Sequence, residues 1–251
     1  MTNNKQIIIA IIIFLGLSIQ GYYIGRSLQR FKKEDRSIHV KGFSEREVKS
    51  NFAVWTIKTR ITTNDVVDGS NQMEQNKEKI KRFLLDNGLK PEEMIEQQVN
   101  VIDKLANDYG GMQMGQFRYI MENAIQVRST AVDKVQQVSR MTDQLLKLGI
   151  VITAQNDYNP AVQYLFTDLN KIKPEMLAEA TQNAKKAALE FTKESEVELG
   201  NLKRANQGLF TIVDRDFANV TPGGEGGYYQ PSVTDIYKKI RVVIHVEYAV
   251  E

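Results

Sequence analysis

From Ile240 to Val250 the chain places an apolar side chain at every second position: Ile240, Val242, Ile244, Val246, Tyr248 and Val250. Successive side chains of a strand point to opposite faces, so this period of two describes a sheet with one face buried and the other wet or covered by a subunit. A helix would scatter the same residues around its circumference. The segment therefore needs other strands for its backbone and a second layer for its apolar face.

Other stretches carry the same signature. Ile38–Gly42 is a short strand candidate and Asn51–Thr63 a long one, with Ala53, Trp55, Ile57 and Ile61 on one face and Trp55, the single tryptophan, in the core. Met94–Leu105 and Phe117–Ser129 pair as a hairpin, alternating through Ile95, Val99 and Val101 and through Tyr119, Met121, Ile125 and Val127, across a long loop at Ala106–Gln116. Ile150–Thr153, Ala161–Leu169, Asn201–Asp214 and Val233–Val250 complete the strands.

Helical spacing begins at Val66–Asp86, with Val66, Met73, Ile80 and Leu84 on a stripe and Asn87–Gly88 as the stop. Thr130 is placed to cap a second helix, with Asp133 at its third position and an apolar stripe of Val132, Val135, Val138, Met141, Leu145 and Leu148 up to Gly149. Pro174 opens a third, reaching Val197, whose inward face is Met176, Ala180, Ala184, Ala187, Ala188 and Phe191. Small side chains there permit a close approach to a sheet. Asp216–Ser232, containing TPGGEGGYYQP, reads as a surface loop in which Tyr228 and Tyr229 form the one exposed aromatic cluster, read either as part of a loosely packed loop or as a partner contact. Hairpins and segregated helices, without regular βα alternation, predict an α+β fold: a mainly antiparallel sheet covered by helices on one side, with a strand-helix-hairpin unit that repeats.

Ahead of all this, Ile7–Ile19 reads IIIAIIIFLGLSI without a charge, and Arg26, Arg30, Lys32 and Lys33 follow closely. Spanning a bilayer takes roughly 20 predominantly apolar residues, so the span borrows Gln20 to Gly25. The expected anchor contacts are Ile7, Ile13, Phe14, Leu17 and Ile19 in the hydrocarbon and Tyr22 and Tyr23 at the interface. A cleaved signal peptide would share Lys5 and the apolar centre, but no Ala-x-Ala-like site follows. A buried soluble helix would need a polar face that the run lacks. The expectation is an uncleaved single-pass anchor, residues 1–36 including the basic juxtamembrane linker, ahead of a domain at 37–251. Lys and Arg after the span favour a cytoplasmic domain by the positive-inside bias.

The residue inventory narrows the function. A net charge of +2 with scattered charges predicts no nucleic-acid partner, and the absence of cysteine removes disulfides, thiolate metal sites and a cysteine nucleophile. His39 and His245 lie in different strands without metal-ligand spacing. No nucleophile-elbow, phosphate-loop or dinucleotide fingerprint occurs, and Gly223–Gly227 is flanked by Pro and Tyr. Glu92–Glu93 and Glu194, Glu196 and Glu198 read as solvated charges. The expectation is a protein without catalytic, cofactor-binding or metal residues.

The elements resemble, in order, the SIMPL-domain family. Ile38, Val40 and Gly42 match its I-x-V-x-G start, and a long strand follows. The helix ending N-G-L-x-P-E-E-M-I at Asn87–Ile95 is similar to its lead into the next strand. Phe117–Val127 resembles the second-hairpin strand that leads to L-x-x-L-G-I at Leu145–Ile150. Glu179–Ala188 is similar to A-x-x-x-A-x-x-K-A, and a final alternating strand closes both. The resemblance implies a duplicated α+β fold, bacterial members mostly exported to the periplasm or cell envelope, some in stress defence, and ring- or channel-like oligomers. It supplies no catalytic residues. The resulting expectation is a membrane-anchored, non-enzymatic envelope protein, extracytoplasmic, self-associating and binding other proteins. A cytoplasmic-facing adaptor for a signalling partner and a hydrolase with a carboxylate pair are the alternatives.

Overall fold

The computed structural model describes residues 14–23, 36–106, 117–153, 160–217 and 233–250. It is α+β, with two sheets where the sequence suggests one. The chain divides into two compact units. The first gathers Met1–Glu45, Lys173–Phe210 and Arg241–Glu251, and the second gathers Arg46–Ile172 and Thr211–Ile240.

The first sheet holds β1 (Ser37–Lys49), β7 (Leu199–Gln207), β8 (Thr211–Asp214) and β9 (Tyr237–Val250), with β9 paired to all three others. The alternation of β9 is realised: Ile240, Val242, Ile244, Val246 and Tyr248 are buried. β1 runs well beyond the predicted Ile38–Gly42, because its inward positions after Val40 are Gly42 and Ser44, which a hydrophobic period does not reveal. Those residues are small for a reason. In the first unit a Cβ on Gly42 would lie 2.6 Å from Ala184 N and 2.7 Å from Ala184 Cβ, so α5 (Leu169–Glu194) presses its Met176, Ala180, Ala184 and Ala188 stripe almost onto the strand.

Helix α5 starts before Pro174, which sits inside it, and Phe191 is exposed where the sequence places it inward. It ends at Glu194, short of the predicted Val197. There Val197 N donates to Thr192 O (3.1 Å) and Glu196 N to Lys193 O (3.3 Å), with Glu196 in the left-handed region at φ 53°. This is the paired hydrogen-bond closure that usually has glycine at the turning residue.

The second sheet runs β3-β5-β2-β6, with β4 also on β5: β2 (Phe52–Thr63), β3 (Met94–Glu96), β4 (Asn100–Asp103), β5 (Tyr119–Ser129) and β6 (Val162–Leu165). All of its strand pairings are antiparallel. The predicted strand at Met94–Leu105 splits, because Glu96 faces Ile125 while Asn100 faces Glu122, so one extra residue bulges out between β3 and β4. Asn201–Asp214 likewise breaks into β7 and β8 at Gly208. Ile150–Thr153 contributes only the bridge Thr59–Ile152.

Ala53, Trp55 and Ile57 of β2 and Ile125 and Val127 of β5 meet α2 (Val66–Asp86), α3 (Val132–Ser139) and α4 (Asp143–Lys147) in the core of the second unit. Ile61 is only half-buried. Asp65 caps α2, accepting from Val67 N at 2.7 Å and Asp68 N at 3.1 Å. Val66 is exposed, and Gly69 takes the first inward place. The predicted helix at Thr130–Leu148 is divided, and Ala131 stands at its N-cap without a side-chain cap, so Thr130 does not cap it. Apolar residues three apart at Val132, Val135, Val138 and Met141 fit a tighter turn than the α-helix, and Met141 N accordingly bonds Val138 O at 2.9 Å. Leu148 is exposed past the break.

Residues 14–23 form α1, on which Phe14, Leu17, Ile19, Tyr22 and Tyr23 are all exposed. Among the described residues no helix is long and apolar enough to cross a membrane. Ile7 and Ile13 lie outside them, so the described part of the predicted span is too short to test it.

Candidate functional site

Alternation sorts the second sheet into two faces. Trp55, Ile57, Ile125 and Val127 point to the helices; Val54, Thr56, Lys58 and Arg60 of β2 and Glu122, Ala124 and Gln126 of β5 point the other way. No residue of α2, α3 or α4 lines this second face, which carries a groove of 390 Å³. Its floor is Val54, Thr56, Lys58, Glu122, Ala124 and Gln126. Gln97, Gln98 and Asn100 from the bulge between β3 and β4 form one bank, and Gln163 of β6 lies on the other.

The floor is internally satisfied. Lys58 Nζ stands 3.0 Å from Glu122 Oε2, Arg60 Nε donates to Glu122 Oε1 at 2.7 Å, and a second guanidinium nitrogen pairs with the same oxygen. Lys58, then Arg60, hold the Glu122 carboxyl below the usual carboxylate range. Gln126 donates to Thr56 Oγ1 at 3.4 Å and accepts from Arg128 Nε at 2.8 Å, which fixes the orientation of its amide. The banks differ: the side chains of Gln97, Gln98, Asn100 and Gln163 make no hydrogen bond to another described residue. Each offers both a donor and an acceptor.

A second concentration of charge is buried instead of open. Lys238 of β9 and Asp214 of β8 form an ion pair with both side chains sealed from solvent, at 3 % and 1 % exposure. Asp214 Oδ2 also accepts from Thr234 N (3.0 Å), Asp235 N (3.1 Å) and the Thr234 hydroxyl (3.3 Å). Lys238 occupies an inward position of the β9 alternation, where a sequence pattern expects an aliphatic residue. The signal that could have found it is the period itself, extended backwards from Ile240 by one step.

The sequence-predicted residues do not assemble into a centre. His39 and His245 are exposed on β1 and β9 of the first unit, and among the described residues no cluster of acidic or histidine side chains is arranged to hold a metal. Tyr228 and Tyr229 lie outside the described residues. On α1 the rings of Tyr22 and Tyr23 meet edge to face at 6.0 Å. Glu93, read as a solvated charge, instead ties the chain before β3 to the sheet, accepting from Ser129 Oγ at 2.5 Å and Lys90 N at 2.8 Å. The amide groove was legible only in retrospect, because its residues come from separate segments that the bulge and the β2–β6 pairing bring to one face.

No curated protein matches the sequence. A family profile described as "SIMPL: Protein of unknown function (DUF541)" matches residues 38–247, which takes in most of both units. The order of strands and helices quoted from the sequence lies within the same span apart from the last three residues of the closing strand, and the chain belongs to the SIMPL family.

Proposed function

We propose that this SIMPL-family chain is a non-enzymatic binding protein, tethered to a membrane by its apolar start and working in the cell envelope, where it self-associates and holds other proteins or envelope components. The observation that carries the reading is the groove on the face of the second sheet that α2, α3 and α4 do not line, whose bank amides make no hydrogen bond to another described residue. A surface amide without an internal hydrogen bond is available to a partner without first breaking one. Self-association draws support from β7, where every residue from Asn201 to Gln207 is exposed. A strand at a sheet edge, open on both faces, is a site at which another chain can add. Tethering concentrates copies in two dimensions, so weak contacts suffice.

The side of the membrane follows from two opposed features. Arg26, Arg30, Lys32 and Lys33 favour a cytoplasmic domain, whereas the exported habit expected of bacterial family members favours the outside. Large domains translocate against a charge bias, so the outside is the side proposed. An alkaline phosphatase fused after Glu251 tests it: activity in whole cells is expected. Activity of a cytoplasmic reporter alone would instead support the second reading, an adaptor facing the cytoplasm. Cross-linking of the full chain in vesicles tests association, and a ladder beyond the single chain is expected.

A further inference from the structure

The amides that make no hydrogen bond to another described residue stand on both banks of one trough. The banks, on the β3–β4 bulge and on β6, are separated by β5 and β2, so they lie about three strand spacings, roughly 14 Å, apart. That width admits one extended chain between the side chains that rise from either bank. We propose that the groove binds an extended, uncharged stretch of polypeptide from a partner protein by pairing its backbone with Gln97, Gln98, Asn100 and Gln163. This rests on the binding reading above and names the class of partner for that same site.

Hydrogen-bond chemistry selects the ligand. A carboxamide side chain carries the same donor and acceptor as a peptide unit, so it can pair with a backbone N–H and a backbone C=O together. An extended peptide presents these groups to both of its edges, which suits amides on two banks and would leave half of them idle on a one-sided site. Charge is not the selector, since Lys58 and Glu122 on the floor are already paired with each other. Nor is a glycan favoured, because no aromatic side chain lines the groove to stack against a sugar ring. Val54 and Ala124 on the floor supply apolar contact for small side chains that point downward. Ile95 and Ile102, partly exposed on the β3 and β4 side, extend that contact.

The test uses the full chain in detergent micelles and a panel of immobilised uncharged peptides about as long as β2, 12 residues. Each peptide is paired with a copy N-methylated at alternate backbone nitrogens. The expected result is capture by a subset of the panel, loss of capture on N-methylation, and at least about tenfold weaker capture by the Q97A/Q163A variant, corresponding to the loss of one or two hydrogen bonds. These surface substitutions leave the core intact, so the variant should keep the melting temperature of the parent. Equal capture of the N-methylated copies, equal capture by the variant, or binding of chitin oligomers but no peptide would each overturn the inference. Absence of all capture with the cross-linked ladder still present would remove the groove's assignment alone. Absence of both would remove the binding reading beneath it.

Discussion

At the residue scale, the buried Lys238–Asp214 pair is the place where one side chain decides most. Desolvating two charges is costly, and their attraction offsets the cost only while both are present and the remaining lone pairs are bonded, as Asp214 is to Thr234 and Asp235. Lys238→Met is therefore expected to destabilise the protein by about 3–5 kcal/mol, since it leaves a buried carboxylate without its counter-charge. A thermal melt followed by the fluorescence of the single, buried Trp55 reads this out. A loss below about 1 kcal/mol would mean that water reaches the pair. Glu122 makes the complementary prediction in pH. Its carboxyl is held below its ordinary value by Lys58 and Arg60, so its stabilisation is fully present above about pH 4.3 and is lost as pH falls through the lower folded value. Glu122→Gln should flatten that acid limb of the melting temperature and leave its shape near neutrality unchanged.

At the scale of elements, helix ends show how the chain departs from local rules. α2 and α4 close with glycine in the left-handed region, Gly88 at φ 81° and Gly149 at φ 79°, whereas α5 closes in the same way on Glu196. A side chain there crowds the following carbonyl, at roughly 1–2 kcal/mol. Glu196→Gly relieves the crowding and is expected to stabilise by about 1 kcal/mol, less the extra entropy of glycine in the unfolded chain. Differential scanning calorimetry should record a melting temperature raised by a few degrees, and a fall would show that the Glu196 side chain makes a compensating contact. The same closures explain why helix stops were legible at Asn87–Gly88 and Gly149 but not after Glu194. Strand lengths were less legible. Inward Gly42 and Ser44 hid most of β1, and the bulge that divides β3 from β4 has no composition signal in Gln97–Gln98–Val99.

At the scale of the whole molecule, the N-terminal run and the folded part make different demands. If the run anchors the chain, binding to vesicles is hydrophobic and should survive about 1 M salt, at which charge interactions are screened beyond roughly 3 Å. If Arg26, Arg30, Lys32 and Lys33 hold it electrostatically, the protein should leave anionic vesicles under the same wash. Co-sedimentation at low and high salt separates the two, and replacing Ile12 and Leu15 by Asp should release the protein in the first case only. The family span, residues 38–247, begins after this run, so the match bears on the folded part and not on the apolar start.

What the sequence by itself determined is the class of each element: β9 from its period of two, α2 from its stripe and its glycine stop, and the α+β order that carried the family resemblance. These are local properties, set by where successive side chains point and by which residues tolerate a turn. Only the tertiary structure decided that β1 pairs with β9 and not with β2, its immediate successor, and so that there are two sheets. It also brought Asp214 to Lys238 and gathered amides from the β3–β4 bulge and β6 onto one face. Pairing between distant strands is chosen by the burial of whole faces at once, and no short stretch of chain contains that sum.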